Sequence, residues 1–162
     1  MKENNVYEIK ENAITLFKGK DFSFLSNMYS YKVEFEYNGL TFNSVESAYQ
    51  AQKDPSKADR FSRCKRPDMA KRMGSNLKNI RSDWEEVKEE IMRELVFIKF
   101  SQNERLKERL LNTGDVQLVE GNTWGDTYWG VCNGVGLNKL GEILMEVREE
   151  LRNEKNNKKI NI

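Results

Sequence analysis

The sequence contains no histidine, and this absence excludes several common kinds of active site. Neither a Ser-His-Asp triad nor a Cys-His pair can form, because both depend on imidazole as the base. The common histidine-ligated zinc and iron sites are excluded for the same reason. If the chain is an enzyme, its proton transfers fall to Asp, Glu, Lys, Tyr or water.

Cysteines and long apolar runs are also scarce. The two cysteines, Cys64 and Cys132, lie far apart in the sequence, which excludes a disulfide framework and a zinc ligand set. No apolar run approaches the ~18 residues that span a bilayer, and the opening Met-Lys-Glu-Asn-Asn carries no apolar signal segment. Charged residues form 33% of the chain but balance to +1, so charge favours neither a membrane nor a duplex-DNA partner. We therefore expect a cytoplasmic protein.

The hydrophobic pattern of the 162 residues predicts one mainly helical α+β domain with a small antiparallel β element. Alternation over residues 33–37, the turn signal Asn38-Gly39 and apolar residues 40–42 predict a hairpin. Short strands are predicted at residues 13–17 and 116–119. Helices are predicted at residues 44–53, 57–63, 67–74, 82–102, 104–112 and 138–153. Gly74 is interpreted as the C-terminal stop of the third of these helices. We place the domain at residues 1–153 and expect the polar tail at residues 154–162 to be disordered.

One predicted helix carries an acid, an amide and an amine on a single face. Asn43-Ser-Val-Glu46 has the form of a capping box and predicts the start of this helix. Side chains at i, i+3, i+4 and i+7 share a face, and here they are Glu46, Tyr49, Gln50 and Lys53. Facing a cavity, they would supply groups for acid–base chemistry. Facing water, they would form a solvated surface on which Glu46 serves only as a cap.

The predicted long helix contributes two further candidates. Trp84 lies near its start and belongs to its apolar stripe, so we favour a core position over a ligand contact. Lys99 projects within the apolar arc of the same helix. A lysine there must extend to the surface, pair with an acid or face a polar cavity, and we expect the first.

The segment at residues 122–141 gathers two of the three tryptophans and five of the ten glycines. Asp126 lies between Trp124 and Trp129, which suits a pocket that stacks a flat ring beside a proton-transferring carboxylate. Alternatively, Asp126 caps a turn and Trp129 fills the core. The glycines leading into the last helix suggest an anion site of backbone N–H groups, although no P-loop or dinucleotide fingerprint is present. Asn138 can equally be the N-cap of that helix.

Several segments follow one another in an order and spacing typical of a known family. They are Phe24-Leu-Ser-Asn27, Ser44-Val-Glu-Ser-Ala-Tyr-Gln-Ala-Gln-Lys53, Trp84 with Met92 and Lys99-Phe100, Leu111-Asn-Thr-Gly-Asp115, Asp126-Thr-Tyr-Trp-Gly130, and Gly136-Leu-Asn-Lys-Leu-Gly141 followed by Leu144-Met145 and Arg148. Together they resemble the NADAR family, also called YbiA-like, over residues 14–152. Several members carry an acid directly after the Trp-Gly pair, and here that position is Val131.

The resemblance implies a YbiA-like fold and the hydrolysis of N-glycosidic bonds without a metal or other cofactor. It implies either of two substrates: a riboflavin-pathway intermediate such as 5-amino-6-ribosylamino-uracil phosphate, or ADP-ribosylated guanine in nucleic acid. In both, ribose C1 is bonded to an exocyclic amine nitrogen of a flat heterocycle. We favour the former, because the near-neutral charge disfavours broad binding to nucleic acid. A non-catalytic ADP-ribose or nucleotide binding module and a purely structural domain are the alternatives.

The resemblance also implies roles for individual residues. Glu46 is the acid/base or cation stabiliser, and Lys53 is the candidate Schiff-base amine, with Lys99 second. Asp126 orients the ribose hydroxyls or moves a proton. Substrate contacts are expected from Phe24, Ser26, Asn27, Tyr49, Gln50, Trp84, Lys99, Trp129, Gly130 and Asn138. The reaction can proceed through a lysine Schiff base or through an oxocarbenium-like C1 steadied by a carboxylate.

Overall fold

Seven α-helices and two small sheets make up the part of the chain that the structure, a computed structural model, describes: residues 5–161. The helices are α1 (Gly19–Phe22), α2 (Val45–Ala51), α3 (Ala58–Arg63), α4 (Pro67–Ser75), α5 (Trp84–Ser101), α6 (Glu104–Leu111) and α7 (Lys139–Ile160). The strands are β1 (Phe35–Tyr37), β2 (Leu40–Phe42), β3 (Gly121–Asn122), β4 (Val131–Cys132) and β5 (Val135–Gly136). The predicted α+β class is confirmed. Within residues 5–161, no helix is both long enough and apolar enough to cross a bilayer.

The chain forms two units. The central unit is Ser26–Lys107, and the terminal unit contains the described residues up to Leu25 and from Glu108 onward. The central unit is organised around α2, which is buried along its whole length and packs against α3, α4, α5 and β2. A helix enclosed on all sides can hold polar side chains only where each finds a partner or a neutral form.

The start and end of α2 differ in detail from the prediction. Ser44, not Asn43, is the N-cap, and its hydroxyl oxygen accepts the Ser47 N–H at 3.1 Å. The helix ends at Ala51, so Lys53 lies in the following turn, where its N–H donates to the Gln50 carbonyl at 3.2 Å. The side chain of Lys53 is therefore oriented by this turn and not by helical spacing.

The predicted hairpin is confirmed in the central unit. β1 pairs antiparallel with β2, with Phe35 opposite Phe42. Asn38 and Gly39 both adopt positive φ, of 50° and 79°, which is the backbone of a type I′ turn and explains the Asn-Gly pair. The rings of Phe35 and Phe42 lie 6.3 Å apart and are almost fully buried, so the hairpin contributes one face to the core.

The terminal unit contains a three-stranded sheet that the sequence did not predict. β3 pairs parallel with β4, and β4 pairs antiparallel with β5. The strands predicted at residues 13–17 and 116–119 are wrong as strands, because their pairing is reduced to an isolated parallel bridge between Ile14 and Leu118. Strands of two residues are too short to produce an alternating hydrophobic pattern, so the sequence shows only a glycine-rich loop.

Helix α7 continues beyond the predicted end of the domain. Its apolar face, which includes Leu140, Leu144 and Leu151, is buried. The prediction of a disordered tail is wrong for residues 154–160, which form the last turns of α7. The Lys155 ammonium contacts the Glu108 carboxylate at 3.1 Å, which anchors these polar turns to α6. Residue 162, the end of the predicted tail, lies outside the described residues.

Candidate functional site

Glu46 is the buried acid of the central unit. It lies in the first turn of α2 and is 9% exposed. The Gln50 amide donates to Glu46 Oε1 at 2.8 Å, so the carboxylate is held by its neighbour one turn along the helix. Burial raises the pKa of Glu46, and the Gln50 hydrogen bond together with Lys71 and Lys53 opposes that rise. A carboxyl group with a raised pKa can donate a proton closer to neutral pH than an exposed one can.

The segment Ser26–Asn27 connects the start of α2 with the middle of α5. The backbone N–H of Glu46 donates to the Asn27 carbonyl at 3.1 Å. The Asn27 amide contacts Met92 Sδ at 3.4 Å, and the Lys99 ammonium donates to the Ser26 carbonyl at 3.0 Å. The Ser26 hydroxyl accepts the Met28 N–H, a local turn contact. The Asn27 carbonyl therefore holds the backbone of Glu46, and the Ser26 carbonyl holds the Lys99 side chain.

An aromatic pair lies against the amine end of this cluster. The rings of Tyr49 and Trp84 are 4.9 Å apart and inclined at 56°, and each residue is 7% exposed. Lys53 Nζ lies 5.9 Å from both ring centroids. Burial lowers the pKa of Lys53, while Glu46 and Glu85 act in the opposite direction. The amine is thus closer to its neutral, nucleophilic form than a surface lysine is.

Lys99 is enclosed and does not extend to the surface. It is 1% exposed, with its ammonium over the rings of Phe100 and Tyr29 at 4.9 and 5.8 Å from their centroids. Burial lowers the pKa of Lys99 to about 7. The expectation of a snorkelling lysine is wrong because the side chain finds a backbone acceptor, the Ser26 carbonyl, inside the protein.

In the terminal unit, Asp126 caps a turn. Its Oδ1 accepts the N–H groups of Tyr128 and Trp129 at 3.1 and 2.9 Å. The Asn122 side chain fixes the same turn, accepting the Asp126 N–H at 3.0 Å and donating to the Asp126 carbonyl at 2.7 Å. This is the arrangement expected from the turn-capping alternative. A catalytic role for Asp126 stays a prediction.

The two indoles beside Asp126 have different surroundings. Trp129 is partly buried, and its neighbour Tyr128 packs edge-on at 4.9 Å between centroids. Trp124 is 59% exposed, with Lys18 Nζ 5.9 Å from its ring. Of these two indoles, only Trp129 is therefore buried enough to line a binding site, and Trp124 lies on the surface.

Packing explains the glycines and the asparagine that follow. Asn138 is fully buried; its Oδ1 accepts the Glu120 N–H and its Nδ2 donates to the Leu118 carbonyl, both at 2.9 Å. It occupies the N-cap position of α7 without a side-chain capping bond. A Cβ on Gly130 would overlap the Glu120 carbonyl oxygen, and one on Gly141 would overlap the Asn138 amide. These contacts explain why glycine and asparagine occupy these positions, and no bound anion is needed for that explanation.

Phe24 is nearly buried in the terminal unit, with the Arg109 guanidinium 4.2 Å from its ring centroid. Both residues line a groove of about 470 Å³, which Asn112 and Thr113 of the family-like Asn-Thr-Gly-Asp segment also line. Val131, the position where several family members carry an acid, is 3% exposed in β4. The groove offers an aromatic surface and amide groups.

The structure thus brings eight of the predicted site residues into the central unit and five into the terminal unit. Those of the central unit are Ser26, Asn27, Glu46, Tyr49, Gln50, Lys53, Trp84 and Lys99. Those of the terminal unit are Phe24, Asp126, Trp129, Gly130 and Asn138. No cluster of three or more Cys, Asp or Glu suited to a metal ion occurs in residues 5–161.

Two residues that act on the site were missed by sequence reasoning. Lys71, on α4, lowers the pKa of Glu46 by its charge. Gly74, on the same helix, lies directly against the Gln50 amide, where a Cβ would overlap its oxygen. The only signal in the sequence was a glycine near the end of a predicted helix, and this was interpreted as a helix stop.

Comparison with known proteins identifies the class. A model of the NADAR domain matches residues 16–152, so the chain belongs to the NADAR family. Among curated relatives, "N-glycosidase YbiA" of Shigella boydii serotype 4 (strain Sb227) is 40% identical over 139 residues, covering 83% of this chain and 85% of the relative. "Riboflavin biosynthesis protein VVA0006" of Vibrio vulnificus (strain YJ016) is 38% identical over 133 residues, or 80% of this chain and 35% of that protein.

The fold is shared with a solved member of the family. The NMR structure of the E. coli protein YbiA matches with a TM-score of 0.78 at 34% identity, covering 95% of this chain and 92% of that chain. The expected YbiA-like fold is therefore confirmed.

Proposed function

We propose that this protein is an N-glycosidase that hydrolyses the bond between ribose C1 and an exocyclic amine nitrogen of a flat heterocycle. The observation that carries the proposal is the pairing of Glu46 with Lys53 beside the Tyr49–Trp84 rings. Burial raises the pKa of the acid and lowers that of the amine, so both are shifted toward their neutral forms. The relative named N-glycosidase YbiA, 40% identical over most of the chain, supports the reaction class.

In the Schiff-base route, Lys53 is the nucleophile. The ribosylamine opens its sugar ring to an imine, and the neutral Lys53 amine adds to C1. Glu46 protonates the leaving nitrogen, the C1–N bond to the heterocycle breaks, and C1 remains bonded to Lys53 as an imine. Water then adds to C1 with Glu46 as base, which frees the sugar aldehyde and restores both side chains.

Lys53 suits this role better than Lys99. A nucleophile must reach the substrate, and Lys53 is only partly buried, whereas Lys99 is 1% exposed and donates to the Ser26 carbonyl. The oxocarbenium route uses the same Glu46 in its ionised form to stabilise charge at C1. The Tyr49–Trp84 pair supplies an apolar wall for the heterocycle in either route.

The substrate we favour is a ribosylated aminouracil of the kind made in riboflavin biosynthesis. The name of the Vibrio relative and the balanced charge of this chain both support it. ADP-ribosylated guanine in nucleic acid has the same C1–amine linkage and is the rival substrate. The substrate contacts proposed from Ser26 and Asn27 of the central unit serve either one.

The test is base release by the purified protein. We expect an aminouracil riboside 5-phosphate to yield free base without added metal, measured by chromatography, and borohydride added during turnover to attach the sugar to Lys53, located by mass spectrometry. Release of base without trapping would select the oxocarbenium route. No release from this compound or from an ADP-ribosylated guanine oligonucleotide, together with thermal stabilisation by ADP-ribose, would replace the enzyme by a binding module.

A further inference from the structure

The side-chain amide of Gln50 is hydrogen-bonded through its nitrogen but not through its oxygen. The residue is 6% exposed, and its Nε2 donates to Glu46 Oε1 at 2.8 Å. Its Oε1 is buried, and no donor within residues 5–161 bonds to it. A buried polar atom without a partner is rare in native proteins and calls for a reason other than stability. Here the fold leaves the amide oxygen unpaired while keeping the amide N–H on the carboxylate.

Gly74 of α4 provides the space for this arrangement. A Cβ at position 74 would overlap the Gln50 amide oxygen and crowd its carbonyl carbon. Gly74 has a helical backbone, so no positive φ demands glycine there. Alanine would favour the helix by about 1 kcal/mol in the absence of the contact. The missing side chain is therefore explained by the room that Gln50 needs.

We infer that Gln50, seated against Gly74, is a positioning residue that holds Glu46 and stabilises its carboxylate as the proton leaves for the departing nitrogen. The inference rests on the proposed function, since it assigns Gln50 a part in that reaction. It differs from the substrate contact expected of Gln50, which stays a prediction, because the donor of this side chain is directed at Glu46.

The charges near Glu46 are consistent with this role. Of the charged groups on elements packed against α2, Lys71 of α4 acts on Glu46, as does Lys53 just beyond α2. The Gln50 N–H is the neutral contributor that opposes the effect of burial on the pKa of Glu46. A donor that bonds the ionised form helps most when that form is created, which is during protonation of the leaving group.

A double-mutant cycle tests the inference. Gln50→Ala removes the donor, and Gly74→Ala displaces it without altering any group near the reaction. We expect each to lower kcat about tenfold with little change in KM, because each removes one hydrogen bond to a charged group. Gly74→Ala should have no further effect on kcat in the Gln50→Ala background, where it should instead stabilise the fold. Ser75→Ala, the exposed neighbour on α4, is the matched control and should behave as wild type.

The pKa of Glu46 provides a readout that does not require turnover. Carboxyl ¹³C titration, assigned with Glu46→Gln, should show that pKa higher in Gln50→Ala and in Gly74→Ala than in wild type. The pH limb of kcat governed by Glu46 should move to higher pH in the same variants. An unchanged pKa in folded Gln50→Ala overturns the inference, even if Gly74→Ala does not fold. If the wild type releases no base, the proposed function fails, while the titration still decides whether Gln50 holds Glu46.

Discussion

The two units of the chain use buried polar residues in different ways. In the terminal unit, the buried amide of Asn138 bonds to two backbone groups, and the buried Arg148 guanidinium donates to the Val116 carbonyl and the Thr113 hydroxyl. Burial lowers the pKa of Arg148 as well, but a guanidinium stays protonated in proteins. In the central unit, burial shifts groups that can change their protonation state: the pKa of Glu46 rises, and those of Lys53 and Lys99 fall. Residues of the family motifs therefore serve two purposes. Asn138 and Arg148 hold other parts of the chain in place by hydrogen bonds, whereas Glu46 and Lys53 have the shifted pKa values suited to proton transfer.

The largest effects should come from the acid and the amine of the central unit. We expect Glu46→Gln and Lys53→Ala each to lower turnover about 10²-fold or more, because each removes a group that exchanges a proton or a bond with substrate. Unfolding curves should change little, since Gln at position 46 can still bond to Gln50. Glu90→Gln and Lys78→Ala, both on exposed residues, are the matched controls. Wild-type turnover in either site variant removes that residue from the mechanism.

The next effect should appear in the stability of the terminal unit. Asn138→Ala leaves the Glu120 N–H and the Leu118 carbonyl without partners, so we expect the free energy of unfolding to fall by about 2 kcal/mol or more. Asn133 is the matched control, because it is exposed and has nearly the same positive φ, 52° against 51°. Asn133→Ala reports only the backbone strain. Equal losses in the two variants, measured by denaturant titration, would mean that the buried amide adds nothing.

A third difference should be visible in the pH dependence of stability. With its folded pKa lowered to about 7, Lys99 is neutral in the native state above that pH but protonated in the unfolded chain up to its ordinary value of 10.5. Its contribution is therefore fully present above pH 10.5 and is lost progressively as the pH falls to about 7. Between these values stability gains about 1.4 kcal/mol per pH unit from this residue.

Lys99→Met should remove that slope, whereas removal of the exposed Lys78 should leave it unchanged. The measurement is the free energy of unfolding at several pH values between 7 and 10. Parallel curves for wild type and Lys99→Met would show that Lys99 is charged in the folded protein, and the proposed contrast between the units would lose one of its examples.

The smallest effects should separate two roles for Asp126. Asparagine keeps an Oδ1 that can accept the N–H groups of Tyr128 and Trp129, whereas alanine does not. We expect Asp126→Asn to retain wild-type stability and Asp126→Ala to lose about 1 kcal/mol. Turnover by the stable Asp126→Asn variant then decides the predicted catalytic role: wild-type kcat leaves only the turn, and a lower kcat at unchanged stability establishes a part in the chemistry.

The sequence predicted the helices and the hairpin well because both depend on local signals. The Asn38-Gly39 turn and the apolar stripe of α5 can be read within a few residues. It also singled out Glu46 and Lys53. It could not show that α2 is buried on every side, since that depends on four other elements, and it assigned the capping position one residue early. Without the buried surroundings, the polar face of this helix looks the same as a solvated one.

The glycine-rich segment was harder because its cause is tertiary. Glycines that make room for a backbone carbonyl, as Gly130 does, are indistinguishable in sequence from glycines that bind an anion. Gly74 was misinterpreted for the same reason: its partner Gln50 lies on another helix. Sequence patterns show which backbone conformations are allowed, but they do not show which atoms approach from elsewhere in the chain.

The state of Lys53 has a practical consequence for covalent labelling. An activated ester acylates the unprotonated form of an amine, so limiting reagent near neutral pH should modify Lys53 ahead of fully solvated lysines. Lys99 shares the lowered pKa, but its 1% exposure leaves it out of reach of such a reagent. Lys53 and the α-amine of the chain, whose ordinary pKa is about 8, are therefore the expected labelling positions, and a molecule bound against the Tyr49–Trp84 rings would protect Lys53 from the reagent.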